Sequence, residues 1–147
     1  MYKHIMVAVD GSETSDLALL EAITIAKEHG SKLHVVHVFD EIALSFSAHY
    51  PEAAEFKKYF IDSGKEVLSI AKTLAQKRAI NVETIFLQSA EGISKKLADY
   101  AKTWPADLLV IGTHGRKGIE RFLLGSVAEK LVRLATVPVL LVPSKKH

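Results

Sequence analysis

Short apolar runs alternate along this chain with segments whose apolar residues recur at helical spacing. The runs at residues 5–9, 33–39 and 107–112 are rich in Val, Ile and Leu, which is typical of strands that a parallel sheet buries on both faces. Two further strands are predicted at residues 82–88 and 137–142. A strand that returns after a helix pairs in parallel with its predecessor. The pattern therefore predicts an α/β fold with a doubly wound, five-stranded parallel sheet.

Four helices are predicted between these strands. The first begins after Ser12, a candidate N-cap, and ends at Gly30, which suits a helix C-terminus. The second is long and contains Gly64, a weak point because glycine in a helix costs ~1 kcal/mol relative to alanine. The predicted buried face of this second helix consists of Phe56, Phe60, Ser63, Val67, Ile70, Ala71 and Leu74.

The other two helices are predicted at residues 93–104 and 127–135. Residues 40–55 have no clean period, so a loop is expected there, running into the second helix near Pro51, where proline suits a first helical turn.

Two strands have the character of sheet edges. Residues 82–88 are less uniformly apolar than the other strands. Pro138 and Pro143 cannot donate ladder hydrogen bonds, so the last strand lies at an edge or has its prolines at its two ends. An apolar edge strand invites aggregation unless it is covered, and a two-fold partner is the simplest cover. We therefore expect a homodimer through residues 137–142.

Composition narrows the class of protein. The chain has 147 residues, of which 48% are hydrophobic and 24% charged, as expected for one domain spanning residues 1–147. Its 19 Lys and Arg oppose 17 Asp and Glu, a net charge of +2 without a basic cluster beyond the tail, which does not favour a nucleic-acid partner. No apolar run approaches the ~18 residues of a membrane span. The absence of cysteine suits a reducing compartment, and a cytoplasmic protein is expected.

The candidate chemistry lies in a glycine pattern after the fourth predicted strand. The pattern is Gly112-x2-Gly115-x9-Gly125-Ser126, and it ends where the fourth helix begins. Glycine lets backbone N–H groups approach an anion, and a helix N-terminus adds unpaired donors. A phosphate-binding loop is therefore predicted, and a side chain at Gly125 is expected to occupy the phosphate approach.

Other motifs fit less well. No glycine in the pattern is followed by Lys and then Ser or Thr, so it is not a Walker A loop. The dinucleotide fingerprint would follow the first strand. Simpler roles also remain open: Ser126 as an N-cap alone, and Asp10 as a turn former alone. His34 and His37 stand three apart on a strand, so they face opposite sides and make a poor metal pair.

The glycine pattern, the strand ends at Asp10 and Val38, and the closing Val137-Pro-Val-Leu-Leu-Val together resemble the universal stress protein family. The resemblance covers essentially the whole chain, and the glycine spacing resembles that of the ATP-binding branch. It implies a Rossmann-like fold of the adenine nucleotide alpha hydrolase-like type, ATP as the ligand, and a homodimer through the last strand.

The resemblance also implies a set of site residues. Asp10 and Gly112 would contact the ribose, and the Val38 backbone would meet the adenine. The full set of candidate binding residues is Ala8, Asp10, Val38, Ile111, Gly112, His114, Gly115, Arg116, Lys117, Gly118, Gly125, Ser126 and Val127.

We expect this site to bind a nucleotide more readily than to cleave it. No catalytic residue is assigned, because the loop offers no obvious general base for water. Magnesium would arrive on the phosphates, since no pair of acidic residues beside the loop suggests a protein cage. A slow ATPase or autokinase using the same pocket is the alternative.

Overall fold

The computed structural model describes residues 1–47, 49–114 and 124–144. Strands and helices alternate along them: β1 His4–Ala8, α1 Glu13–His29, β2 Lys32–Asp40, α2 Ala53–Lys77, β3 Val82–Ser89, α3 Ile93–Thr103, β4 Leu108–Gly112, α4 Ser126–Leu134 and β5 Val139–Val142. A 3-10 turn, Ile42–Ser47, follows β2.

All five strands are parallel, in the order β3-β2-β1-β4-β5. The chain therefore runs outward from β1 to one edge and then crosses back to build the other half. This confirms the predicted doubly wound sheet. It also confirms that β3 lies at an edge, with β5 at the opposite one, and that the prolines stand outside the four residues of β5.

The sheet has an apolar core on each face. One core joins β1 and β2 to α1 and α2, and includes Ile5, Val7, Leu19 and Leu68. The other joins the opposite strand faces to α3 and α4, and includes Leu97 and Leu131. Among the described helices, none is long and apolar enough to cross a membrane.

The caps of α1 match the sequence prediction. Ser12 Oγ accepts the N–H of Ser15, and Gly30 ends the helix with φ of 65°, the left-handed conformation that glycine adopts without strain. The predicted cap of α4 was wrong by one residue. Gly125 is the N-cap, and Ser126 is the first helical residue.

The predicted buried face of α2 was wrong in part. Phe56, Phe60 and Ile70 are exposed, and the buried residues are Gly64, Leu68, Ala71 and Ala75. Small side chains mark the side of α2 that approaches the sheet because they let the helix axis come close to it.

Part of the segment predicted as a loop forms regular secondary structure. Strand β2 continues to Asp40, the 3-10 turn follows, and α2 begins at Ala53. Asp40 Oδ1 accepts the N–H of Ile42 at 2.9 Å, which turns the chain as it leaves the strand.

Candidate functional site

A cavity of ≈ 560 Å³ opens at the carboxyl ends of the strands. It lies where the strand order reverses between β1 and β4, the place where open α/β sheets hold ligands. Nine of the predicted site residues line it: Ala8, Asp10, Val38, Ile111, Gly112, His114, Gly125, Ser126 and Val127. The other four, Gly115, Arg116, Lys117 and Gly118, lie outside the described residues.

Asp10 is held in place by the turn that leads from β1 into α1. Its Oδ1 accepts the N–H of Ser12 at 2.9 Å, and its own N–H donates to Ser15 Oγ at 3.2 Å. Asp10 therefore does form the turn, as the simpler interpretation had it, and it also lines the cavity.

Carboxylates concentrate at the N-terminus of α1. Glu13 and Asp16 lie in its first turn, one turn from Asp10. Partial removal from water raises the pKa of Asp16, and the negative charges of Asp10 and Glu13 raise it further. This end of the cavity repels phosphate and suits a ligand group that donates hydrogen bonds, such as a hydroxyl.

The N-terminus of α4 forms a different part of the cavity wall. The first intrahelical bond of α4 runs from Glu129 N–H to Gly125 O at 2.9 Å, so the N–H groups of the first turn have no intrahelical acceptor. They carry the positive end of the helix dipole. Ser126 is exposed here, so this end of the cavity suits an anion.

The two described glycines of the pattern are required by close approach of the protein to itself. A Cβ on Gly125 would stand 2.7 Å from the Thr113 carbonyl oxygen, which accepts the Gly125 N–H at 2.6 Å. A Cβ on Gly112 would stand 2.6 Å from Thr14 Cγ2. A side chain at Gly125 would therefore first displace the backbone at Thr113, and its occupation of the phosphate approach stays a prediction.

The backbone of Val38 faces the side on which β1 ends. Val9 N–H donates to Val36 O at 2.9 Å, so the backbone groups of Val36 point towards β1. Groups two residues apart on a strand share a direction, and those of Val38 therefore point past the end of β1. Val38 is 8% exposed and lines the cavity.

His114 is the predicted residue with the most enclosed side chain. It is buried, and its Nδ1 lies 3.0 Å from Thr113 Oγ1. Its Nε2 is also buried, without a hydrogen-bond partner in the described part of the chain. The residues that follow it are outside that part, and no set of three possible metal ligands occurs among the described residues.

Sequence reasoning missed the wall contributed by β2, the 3-10 turn and α2. Its residues are His37, Phe39, Asp40, Ala43, Leu44, Phe60, Ser63 and Gly64. Gly64 was the available signal, because a glycine inside a long helix often marks a close approach. A Cβ there would stand 2.6 Å from the His37 ring.

Comparison with known proteins agrees with this architecture. A family model described as the universal stress protein family matches residues 1–143. A universal stress protein of Methanocaldococcus jannaschii is 34% identical, over 99% of this chain and 85% of that protein. The universal stress protein YxiE of Bacillus subtilis is 32% identical, over 97% of this chain and 99% of that protein.

Solved structures give the same result. A universal stress protein family member from Burkholderia pseudomallei aligns with a TM-score of 0.80 and 30% identity, covering 97% of both chains. The universal stress protein from Archaeoglobus fulgidus in complex with dAMP aligns with a TM-score of 0.70 and 27% identity, over 96% of this chain and 98% of that one. A universal stress protein in complex with cAMP has a TM-score of 0.70 and 26% identity, over 98% of both chains. This chain belongs to the universal stress protein family.

Proposed function

We propose that this protein is a cytoplasmic universal stress protein that binds an adenine nucleotide, with ATP as the expected ligand, and responds to it as a homodimer. One observation carries the proposal. The nine predicted site residues that the structure describes come from four separate stretches of the chain, and all of them line the same cavity.

The chemistry of the cavity suits the parts of a nucleotide in order. Ala8, Val38 and Ile111 offer apolar surface for the base. Asp10 offers a carboxylate for the ribose hydroxyls. The N-terminus of α4 offers N–H donors and a positive dipole end for phosphate.

The complexes of related proteins support the same ligand class. Their ligands are dAMP and cAMP, which share an adenine base, a sugar and one phosphate. For this chain we extend the ligand to ATP, with Gly115, Arg116, Lys117 and Gly118 of the glycine pattern beside the phosphates. Mg²⁺ would be carried by the phosphates rather than by a protein cage.

The ribose contact can be tested with a matched pair of carboxylates. Asp10→Asn keeps a side chain able to form the same turn but loses the charge facing the ribose. Titration calorimetry should show affinity for ATP falling about tenfold, the size expected when a hydrogen bond loses its charged partner.

Asp16→Asn is the control. Asp16 lies in the first turn of α1, beyond the turn that holds Asp10, and does not line the cavity, so its substitution should leave affinity unchanged or slightly raise it. Equal loss of affinity in the two variants would contradict a ribose contact at Asp10.

Binding and turnover are separated by a single-turnover assay with labelled ATP. Stoichiometric retention without product is expected. Product formed above the level of a Gly115→Asp control would instead favour the slow ATPase or autokinase alternative.

A further inference from the structure

His37 lies on β2 between two residues whose backbones face β1, and its own side chain faces α2. Its Nδ1 lies 2.8 Å from the carbonyl oxygen of Val9. A carbonyl oxygen only accepts hydrogen bonds, so Nδ1 carries the hydrogen and donates it. The ring thus joins the end of β1 to its neighbouring strand through a side chain.

This side-chain hydrogen bond takes the place of the next backbone hydrogen bond of the β1–β2 ladder. The Val9 N–H donates to Val36 O, and in a regular parallel ladder the Val9 carbonyl would then accept the N–H of Val38. Within residues 1–47 no such bond is formed. The His37 ring binds that carbonyl instead.

As a consequence, the Val38 N–H and C=O in the cavity wall have no backbone partner beyond the end of β1 among the residues that the structure describes. Buried backbone N–H and C=O groups are nearly always paired, so those of Val38 are suited to a ligand. One N–H donor beside one C=O acceptor matches adenine, which offers a ring-nitrogen acceptor beside its N6 donor. It mismatches guanine, which has the acceptor O6 in place of the N6 donor.

The ring that binds Val9 is itself tightly packed. A Cβ on Gly64 would stand 2.6 Å from His37 Cδ2 and 2.7 Å from Nε2. Phe86 packs on the same ring, with centroids 5.9 Å apart. Helix α2 and strand β3 therefore hold the imidazole in the orientation that reaches Val9.

We propose that His37 is a positioning residue for base recognition. By binding the Val9 carbonyl, its ring ends the β1–β2 ladder one backbone hydrogen bond early. The Val38 N–H and C=O therefore stay accessible to the edge of the adenine base. This inference rests on the proposed nucleotide site. It adds the residue that sets the choice of base, and part of its test needs no ligand.

Two variants separate the hydrogen bond from the bulk of the ring. His37→Leu fills similar space without a donor. In His37→Asn the amide nitrogen takes the approximate position of Nδ1 and restores the donor. If His37→Leu does not fold, His37→Gln, whose amide lies further out at the position of Nε2, takes its place.

The first measurement is amide hydrogen exchange at Val38 in the ligand-free protein, followed by NMR. Protection of the Val38 N–H should rise at least about tenfold in His37→Leu, because the Val9 carbonyl becomes available to it. His37→Asn should exchange like the wild type. Unchanged protection in His37→Leu would overturn the proposal.

The second measurement is the ratio of ATP to GTP affinity in the same variants. In His37→Leu the ratio of ATP affinity to GTP affinity should fall by at least about tenfold. In His37→Asn the ratio should return to that of the wild type. A general structural defect would weaken the binding of both nucleotides equally. An unchanged ratio in His37→Leu would therefore overturn the positioning role. If the wild type binds no nucleotide, the proposed function fails, while the exchange result still decides whether His37 opens the ladder.

Discussion

At the scale of single residues, Gly112 and Gly125 are needed for close packing of the protein itself, independently of any ligand. Gly112 lets β4 pass close to Thr14, and Gly125 lets the returning chain lie on the Thr113 carbonyl. Both contacts fix the relative positions of β4, α1 and α4 around the cavity. Substitution at either glycine is therefore expected to disturb the unliganded site as well as binding.

A second residue-scale feature is a buried histidine at the other end of β2. His34 stacks on Trp104 with ring centroids 3.5 Å apart, and its Nδ1 lies 3.0 Å from the Tyr100 hydroxyl. Burial lowers the pKa of His34 below its ordinary 6.5, with Glu83 partly opposing this effect. The folded state thus takes up the proton less readily than the unfolded state.

This pKa shift predicts that acid destabilises the fold through His34. A lowered folded pKa leaves stability intact above the unfolded value of 6.5 and removes it progressively as the pH falls below that value. The free energy of unfolding, followed by the fluorescence of Trp104, should be lower at about pH 5.5 than at about pH 7.5. The difference should shrink in His34→Gln, and an equal difference in both proteins would contradict the assignment.

At the scale of elements, the buried residues of helix α2 do not follow the spacing of its large apolar residues. Its large apolar residues Phe56, Tyr59 and Ile70 are exposed, while Gly64 meets the rings of His37 and Phe86. Close packing of this helix on the sheet therefore depends on the absence of a side chain.

Gly64→Ala tests that packing. Helix propensity alone would stabilise the variant by ~1 kcal/mol, but the added methyl would overlap two rings, and overpacking costs ~1–3 kcal/mol. We expect a net loss of stability in urea unfolding. Ser69→Ala, exposed on the same helix, supplies the propensity effect alone and should not destabilise. A gain in both variants would show that the ring contacts are easily relieved.

Prediction from sequence succeeded for the elements whose signal is local. Apolar runs marked the strands, and Ser12 and Gly30 marked the limits of α1, because caps and strand burial depend on neighbouring residues. The buried face of α2 depends on how near the helix lies to the sheet, which apolar spacing does not encode. His37 was missed for the same reason: its bond to Val9 joins residues 28 positions apart. The opposite facing of His34 and His37 was confirmed, since strand alternation is local.

The candidate site was predictable as a set of residues but not as a geometry. The glycine spacing, the strand ends and the family resemblance together named nine residues that line the cavity. The reasons for Gly112 and Gly125 lie in contacts with Thr14 and Thr113, which only the folded backbone brings together.

At the scale of the whole molecule, the outer edge of β5 is the expected dimer contact. Thr113 N–H donates to Val142 O and Leu109 N–H to Pro138 O, so the even-numbered residues of β5 face β4. The backbone of Leu141 therefore points away from the sheet. Its apolar neighbours Val139 and Leu140 are only half-buried.

Leu141→Pro removes an outward N–H while leaving the ladder to β4 intact. We expect a dimer of the wild type and a folded monomer of the variant in light scattering, with the fold checked by circular dichroism. A wild type that is monomeric at every concentration, or a variant that remains dimeric, would contradict an interface through residues 137–142.

The central claim is that the cavity at the strand-order reversal binds an adenine nucleotide, and thermal melting tests it most directly. Ligand at about 100 times its dissociation constant adds ~2.7 kcal/mol to the free energy of unfolding, which for a chain of this size raises Tm by roughly 5–10 °C. We predict such a rise with Mg-ATP, and a smaller or equal rise with ADP and AMP. An unchanged Tm with all three nucleotides would contradict the account.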